Sequence, residues 1–295
     1  MAIKLIVTDM DGTLLDEKIE VTDRVTEAIL RAQDAGIEFA VATGRTVESG
    51  YSLIKERGIT CPFIELNGAR YFDENEKLQY TRDMKKNDVE TLIQILEHYD
   101  VHNEFLTQDG AYSKRTLEEY IMVFKSVFKN INKEMTDEEA REYAMKRMDH
   151  FNLNTVNDFG FLYQDAETQV LKTLAHAHED LPLLNEIQTT IESELPDLIV
   201  TSASTFSLEV NHIDANKGRA VADLARERGY TADEVITIGD NINDLTMLEW
   251  ATHSYAVANA HNEAKDAAAY IAPSHADYAV AQIIERVLDG KSLKF

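Results

Sequence analysis

Residues 9–14, DMDGTL, follow directly on a short apolar run of Ile3, Leu5, Ile6 and Val7. An apolar strand that ends on two carboxylates one residue apart, then turns at glycine, delivers both acids to the carboxyl edge of a parallel sheet. Open α/β sheets place their chemistry at that edge. Taken alone, residues 9–13 also fit a solvated turn, because Asp and Gly are the default turn residues. A calcium loop does not fit: counted from Asp9, position 12 is Glu20, but position 6, where the sharp turn needs glycine, is Leu14.

The chain beyond this stretch alternates strand and helix. Residues 21–36 predict an amphipathic helix, with Val25, Ala28, Ile29 and Ala32 at helical spacing, Thr22 as cap and Gly36 as stop. Residues 37–42 then form a strand, so the three elements make a βαβ unit with a right-handed crossover. That strand runs into Thr43, Gly44 and Arg45. A helix over 46–58 and a strand over 61–66 lead to Asn67 and Gly68, and segments 69–72 and 78–81 flank an acidic turn as a hairpin at the sheet margin.

From about residue 83 to 194 the texture changes. Longer, more charged helical stretches (89–99, 117–127, 137–148, 183–194) surround short strand candidates (101–107, 151–155, 170–175), an order that predicts an α+β insertion. The alternation is read as resuming at 195, with strands over 198–202 and 206–210 and a helix over 217–229. A strand over 235–238 runs into GDNIND at 239–244, a last core strand covers 253–257, and helices cover 263–269 and 278–288. The expected fold is α/β: a doubly wound, Rossmann-like parallel-sheet core from residues 1–82 and 195–295, with an inserted α+β cap domain over 83–194.

Composition narrows the partners. The chain of 295 residues carries 53 acidic against 29 basic side chains, a net charge of −24. Such a chain is repelled by polyanions, which excludes nucleic acid, and any anionic substrate must be drawn in by a local cation. One cysteine, Cys61, cannot make an internal disulfide. The first apolar stretch is broken by Asp9 before signal-peptide length, and no run approaches the roughly 18 apolar residues of a membrane helix. The expectation is a cytoplasmic protein without membrane contact, monomeric or homodimeric.

Four polar groups fall at strand ends or helix starts of one sheet: Asp9 with Asp11, Thr43, Lys217, and Asp240 with Asp244. Each alone is ordinary; Thr43 could cap the next helix, and a Lys at a helix start is usually solvated. Together they define chemistry. Several carboxylates within a few ångströms oppose one another's ionisation unless a cation sits among them, and an all-oxygen set is what Mg2+ prefers. With the metal screening it, Asp9 is placed for phosphoryl transfer to a carboxylate. Thr43 and Lys217 would hold the remaining oxygens, and Asp11 would protonate the leaving oxygen and later take a proton from water.

DMDGTL at 9–14, ATGR at 42–45, NKG at 216–218 and GDNIND at 239–244 resemble, in order, the four signatures of haloacid dehalogenase-like phosphatases. The resemblance implies Asp9 as nucleophile, Asp11 as general acid and base, Thr43 as phosphate ligand and Lys217 as charge neutraliser. It implies Mg2+ held by Asp9, Asp240 and the backbone carbonyl of Asp11, with Asp244 in support through water. Gly44, Arg45, Asn67 and Asn243 are the implied neighbours of the substrate. The long interval between Arg45 and Lys217 is similar to the Cof-type branch, whose lid follows the second motif and whose members mostly hydrolyse phosphate esters of small metabolites, such as sugar phosphates or phosphorylated cofactors.

Within the insertion, His176 and His178 form an H-x-H pair and His98 stands four residues from His102, both more simply read as structural or surface histidines. Phe159, Gly160, Phe161 and Tyr163 form either a substrate-facing loop or a packing cluster, and Trp250 is core. Two alternative functions share these features. A phosphomutase would return the phosphoryl group to a sugar hydroxyl. A non-catalytic phosphometabolite sensor would keep the fold, although binding alone has no need of Asp11.

Overall fold

The computed structural model describes residues 2–116, 118–122, 136–150, 152–177, 180–204 and 207–295. Its first strand, β1 (Leu5–Thr8), is entirely buried and pairs in parallel with β2 (Glu38–Ala42) on one side and β12 (Val235–Gly239) on the other. Outward from β2 come β3 (Phe63–Glu65), parallel, then β4 (Arg70–Phe72) and β5 (Leu78–Thr81), antiparallel. Outward from β12 lie β13 (His253–Ala256) and β14 (Tyr270–Ile271), both parallel. The sheet order β14-β13-β12-β1-β2-β3-β4-β5 reverses direction of growth at β1, which places a topological switch point between β1 and β12.

Alternation along the strands feeds two cores. Ile6, Phe39, Val41, Ile236 and Ile238 face the helices Asp23–Asp34 and Ala279–Leu288, whereas Leu5, Val7, Ala40, Ala42 and Val235 face the helix Lys217–Arg228 through Ala220, Val221, Leu224 and Ala225. A sheet covered on both faces reads as near-continuous apolar runs, which is why LIVT and VITIG stood out as strands. The helix Asp23–Asp34 begins where expected, with the Thr22 side chain accepting the N–H of Val25.

The chain divides into two units, Met1–Arg82 with Asp214–Phe295, and Asp83–Ile213. The second unit holds a sheet ordered β10-β11-β9-β6-β7-β8, from β6 (His102–Thr107), β7 (Gly110–Ser113), β8 (Leu153–Thr155), β9 (Val170–His176), β10 (Leu198–Ser204) and β11 (Ser207–His212). One face, including Phe105, Val170, Ala175 and Val210, packs on helices Lys86–His98 and Leu181–Glu194. On the other face, cross-strand register sets His102 opposite His176 and Glu104 opposite Leu174, itself opposite Glu209.

Two expectations need correction. The strands read over 198–202 and 206–210 do not resume the core; β11 pairs antiparallel with β9 and β10 antiparallel with β11, and the first unit resumes at Asp214 rather than 195. Both patterns are short and apolar, and only pairing distinguishes a core strand from an added antiparallel one. The strand at 253–257 is not the last, since β14 extends the edge by two residues. Of the two readings of residues 159–163, packing is the one the structure shows: Phe159 is buried with its ring 4.7 Å from Phe105, and Phe161 lies 5.0 Å from Tyr112, at a short helix Gly160–Gln164. The helix expected over 117–127 and His178 lie partly or wholly outside the described residues.

Candidate active site

The turn after β1 is built on one carbonyl. Thr13, Leu14 and Leu15 all direct their N–H groups to the oxygen of Met10, whose side chain is fully buried, so Asp9 and Asp11 flank an anchored residue. Gly12 sits at φ +76°, and a Cβ there would stand 2.6 Å from Asp240 Oδ2. The turn therefore needs glycine twice, for its backbone and for the close approach of the Asp240 carboxylate.

Lys217, the first residue of its helix, is fully buried and donates to Asp9 Oδ1 and to Asp244 Oδ1, each at 2.6 Å. Asp244 engages its other oxygen as well, accepting the N–H groups of Asp240 (2.8 Å) and Asn241 (2.9 Å). This return of the side chain over its own loop is possible because residue 239 is glycine: a Cβ there would lie 2.6 Å from Asp244 Cγ. Thr13 Oγ1 donates to Asp240 Oδ1 at 2.9 Å. Asp9, Asp240 and Asp244 each offer an oxygen within 4.8 Å of the others.

Burial raises the Asp9 pKa well above its ordinary value; Lys217 opposes the shift, and the charges of Asp244, Asp240 and Asp11 reinforce it. Asp240 is pushed up to about 6, by burial first and then by Asp244, against the Thr13 hydroxyl and Lys217. Burial works against the Lys217 ammonium, but the Asp244 and Asp9 carboxylates outweigh it and hold its pKa above the ordinary range. Three carboxylates facing one ammonium leave negative charge that a divalent cation would relieve, and the all-oxygen donor set suits Mg2+. The residues present fit such an ion.

Asp11 does not join this cluster with its side chain. Arg45 grips it bidentately, Nε to Oδ2 at 2.7 Å and Nη2 to Oδ1 at 2.6 Å, and the Asp11 side chain is 57% exposed. Arg45 Nη1 also donates to the carbonyl of Ser49 at 3.1 Å. Burial disfavours the guanidinium charge, and the Asp11 hydrogen bond and charge more than compensate, so its pKa is raised. Thr43 is buried at the end of β2; its hydroxyl accepts the N–H of Arg45 and its carbonyl the N–H of Asn67. Gly44 lies between these two. Asn243 Nδ2 donates to Asn67 Oδ1 at 3.1 Å, and Asn67 holds a left-handed backbone, φ +63°.

All ten candidate residues thus lie in the first unit, at or beside the carboxyl edge of one sheet. Three further residues escaped the sequence reading. Thr13 stood inside the DMDGTL stretch but was not assigned to Asp240. Asn259 Nδ2 donates to the Gly12 carbonyl at 2.8 Å, with no sequence signal to mark it. Glu65, an acid inside an apolar strand, is buried and accepts the N–H of Val47 at 2.5 Å.

The sequence matches the model of the haloacid dehalogenase-like hydrolases over residues 6–284, and the chain belongs to that family. It is 27% identical over 288 residues to the 5-amino-6-(5-phospho-D-ribitylamino)uracil phosphatase YwtE of Bacillus subtilis, covering 98% of this chain and 99% of that one. It is 24% identical to the pyridoxal phosphate phosphatase YbhA of Escherichia coli, over 96% and 98% of the two chains. A solved haloacid dehalogenase-like hydrolase from B. subtilis superposes with a TM-score of 0.85 at 26% identity, covering 96% of this chain and 99% of the other. Among the described residues no helix is long and apolar enough to cross a membrane.

Proposed function

We propose that the protein is a magnesium-dependent phosphatase that hydrolyses phosphate monoesters of small metabolites through a phosphoaspartate on Asp9. The observation that carries this reading is the Lys217 ammonium buried between Asp9 and Asp244, with Asp240 within ligand reach of both carboxylates. The names of the relatives support the class of substrate, a sugar-alcohol or cofactor phosphate.

Asp9, Asp240 and the carbonyl of Asp11 would hold Mg2+, with Asp244 in support, since both of its oxygens already bind protein donors. The ion supplies charge neutralisation and orientation of the transferring oxygens. An oxygen of Asp9 attacks phosphorus; the bond to the ester oxygen breaks, and Asp11 delivers a proton to that oxygen. Water then attacks the phosphorus, Asp11 takes its proton, the bond to Asp9 breaks and inorganic phosphate leaves. Lys217 and the Thr43 hydroxyl stabilise charge on the remaining oxygens. Choice among phosphate esters would rest with the inserted unit, in a cytoplasmic protein that is monomeric or homodimeric.

Hydrolysis of an aryl phosphate with Mg2+ and with chelator, repeated with Asp9→Asn, tests the reading. Turnover is expected only for the wild type with metal. Undiminished turnover by Asp9→Asn would remove Asp9 from the mechanism.

A further inference from the structure

The turns after β2 and β3 are laced together beside Arg45. Thr43 donates its N–H to Ile64, Asn67 donates to the Thr43 carbonyl at 2.9 Å, and Leu66 donates to the Arg45 carbonyl at 3.0 Å. Glu65 joins this lacing through its side chain. Its Oε2 accepts the N–H of Val47, the first residue of the helix Val47–Lys55, and its Oε1 lies 3.2 Å from Arg70 Nε. A carboxylate there satisfies a helix-start donor that would otherwise be orphaned and favours the positive end of the helix dipole. Thr46 and Ser49 satisfy each other across the same turn, so the Val47 N–H depends on Glu65.

Arg45 leaves the chain immediately before this turn, and its two parallel hydrogen bonds to Asp11 demand one orientation of the guanidinium. The fork of Arg45 on both oxygens sets where the Asp11 carboxylate points, and Asp11 is the group that takes the proton from water. We propose that Glu65 is a positioning residue for Asp11: by gripping the Val47 N–H it fixes the turn from which Arg45 holds the Asp11 carboxylate for phosphoenzyme hydrolysis. This rests on the reading of Asp11 as acid and base given above. Burial pushes the Glu65 carboxyl up to about 7 against Arg70 and the Val47 N–H, so the position is held at a cost in charge solvation.

The test uses the whole protein with 4-nitrophenyl phosphate, whose leaving group needs no proton, so kcat/KM reads phosphorylation of Asp9 and kcat reads the water step. Glu65→Ala is expected to lower kcat and KM together, by about tenfold, leave kcat/KM within about twofold, and raise the acid-stable phosphoenzyme level. Glu65→Gln keeps an acceptor for Val47 and is expected to restore kcat to within about threefold. A fall of kcat/KM in step with kcat, or an unchanged kcat, overturns the proposal, as does a Gln variant no better than Ala. Asp11→Asn is the reference: if it accumulates no phosphoenzyme, the reading of Asp11 fails; if it does and Glu65→Ala does not, only the role of Glu65 fails. Circular dichroism of each variant identifies loss of fold, and Glu65→Gln then carries the test.

Discussion

Two buried polar clusters, one in each unit, use similar side chains to different ends. At the edge of the parallel sheet, Asp9, Asp240 and Asp244 face the single ammonium of Lys217. On the polar face of the second sheet, Lys172 pairs with Glu209, and Glu104 lies 3.2 Å from His102 Nε2 and 3.8 Å from His176 Nε2. The second cluster sits in the middle of strands, with the Lys172 ammonium on Glu209 and with Glu104 beside two imidazoles. The first sits where strands stop and carries more carboxylate than its own cation balances. Buried pairs of matched charge are replaceable structure, whereas uncompensated carboxylates mark a place prepared for a further cation.

The largest effect should come from the first cluster. Lys217→Met is expected to lower kcat by on the order of 10²–10³-fold, because it removes a preorganised charge next to the transferring phosphate. A loss of less than tenfold in a steady-state assay would reduce Lys217 to a structural role. The second cluster should behave in the opposite way. Lys172→Met alone is expected to cost about 3–5 kcal/mol in denaturant unfolding, and Lys172→Met with Glu209→Leu to recover most of it. A double variant as unstable as the single one would mean that Lys172 and Glu209 are not a self-contained pair.

Metal sharpens the contrast further. Mg2+ at about 100 times its Kd should stabilise the wild type by about 2.7 kcal/mol. Thermal melts should show that gain lost in Asp240→Asn and kept in Glu209→Gln; equal gains in both would place the ion elsewhere. A smaller effect concerns pH. Glu65 has a folded pKa of about 7 against an ordinary 4.5, so between those values the folded protein keeps a proton that the unfolded chain releases. Its contribution is full below about pH 4.5 and is lost as pH rises through about 7. Glu65→Gln, which cannot titrate, should therefore gain about 1–3 kcal/mol relative to wild type between about pH 5 and pH 8. Parallel stability curves for the two proteins would contradict the shift.

The same contrast explains what was legible in the sequence. The Asp9 site could be read because its members sit where strands end, and a strand end leaves a signature: apolar residues, then acids and glycine in a fixed order. Lys217 was legible by its place after Asn216, though its complete burial was not, since a Lys that opens a helix normally faces water. Glu65 and Asn259 act through the N–H of Val47 and the carbonyl of Gly12, partners distant in sequence or silent in pattern. The boundary at 195 missed because β10 and β11 carry the same short apolar runs as core strands, and long-range pairing with β9 decides where they belong. β7 was missed for a related reason: GAYS is too short and too mixed to signal a strand until β6 and β8 flank it.

The most direct test is chemical capture of Asp9. The protein is mixed with substrate and Mg2+, quenched within one turnover, reduced with borohydride and mapped by peptide mass spectrometry, since borohydride converts an aspartyl phosphate to homoserine. Homoserine at position 9, present with substrate and absent without it, is the expected result. Full turnover with unmodified Asp9, or homoserine at another acid, would contradict a phosphoryl group carried by Asp9.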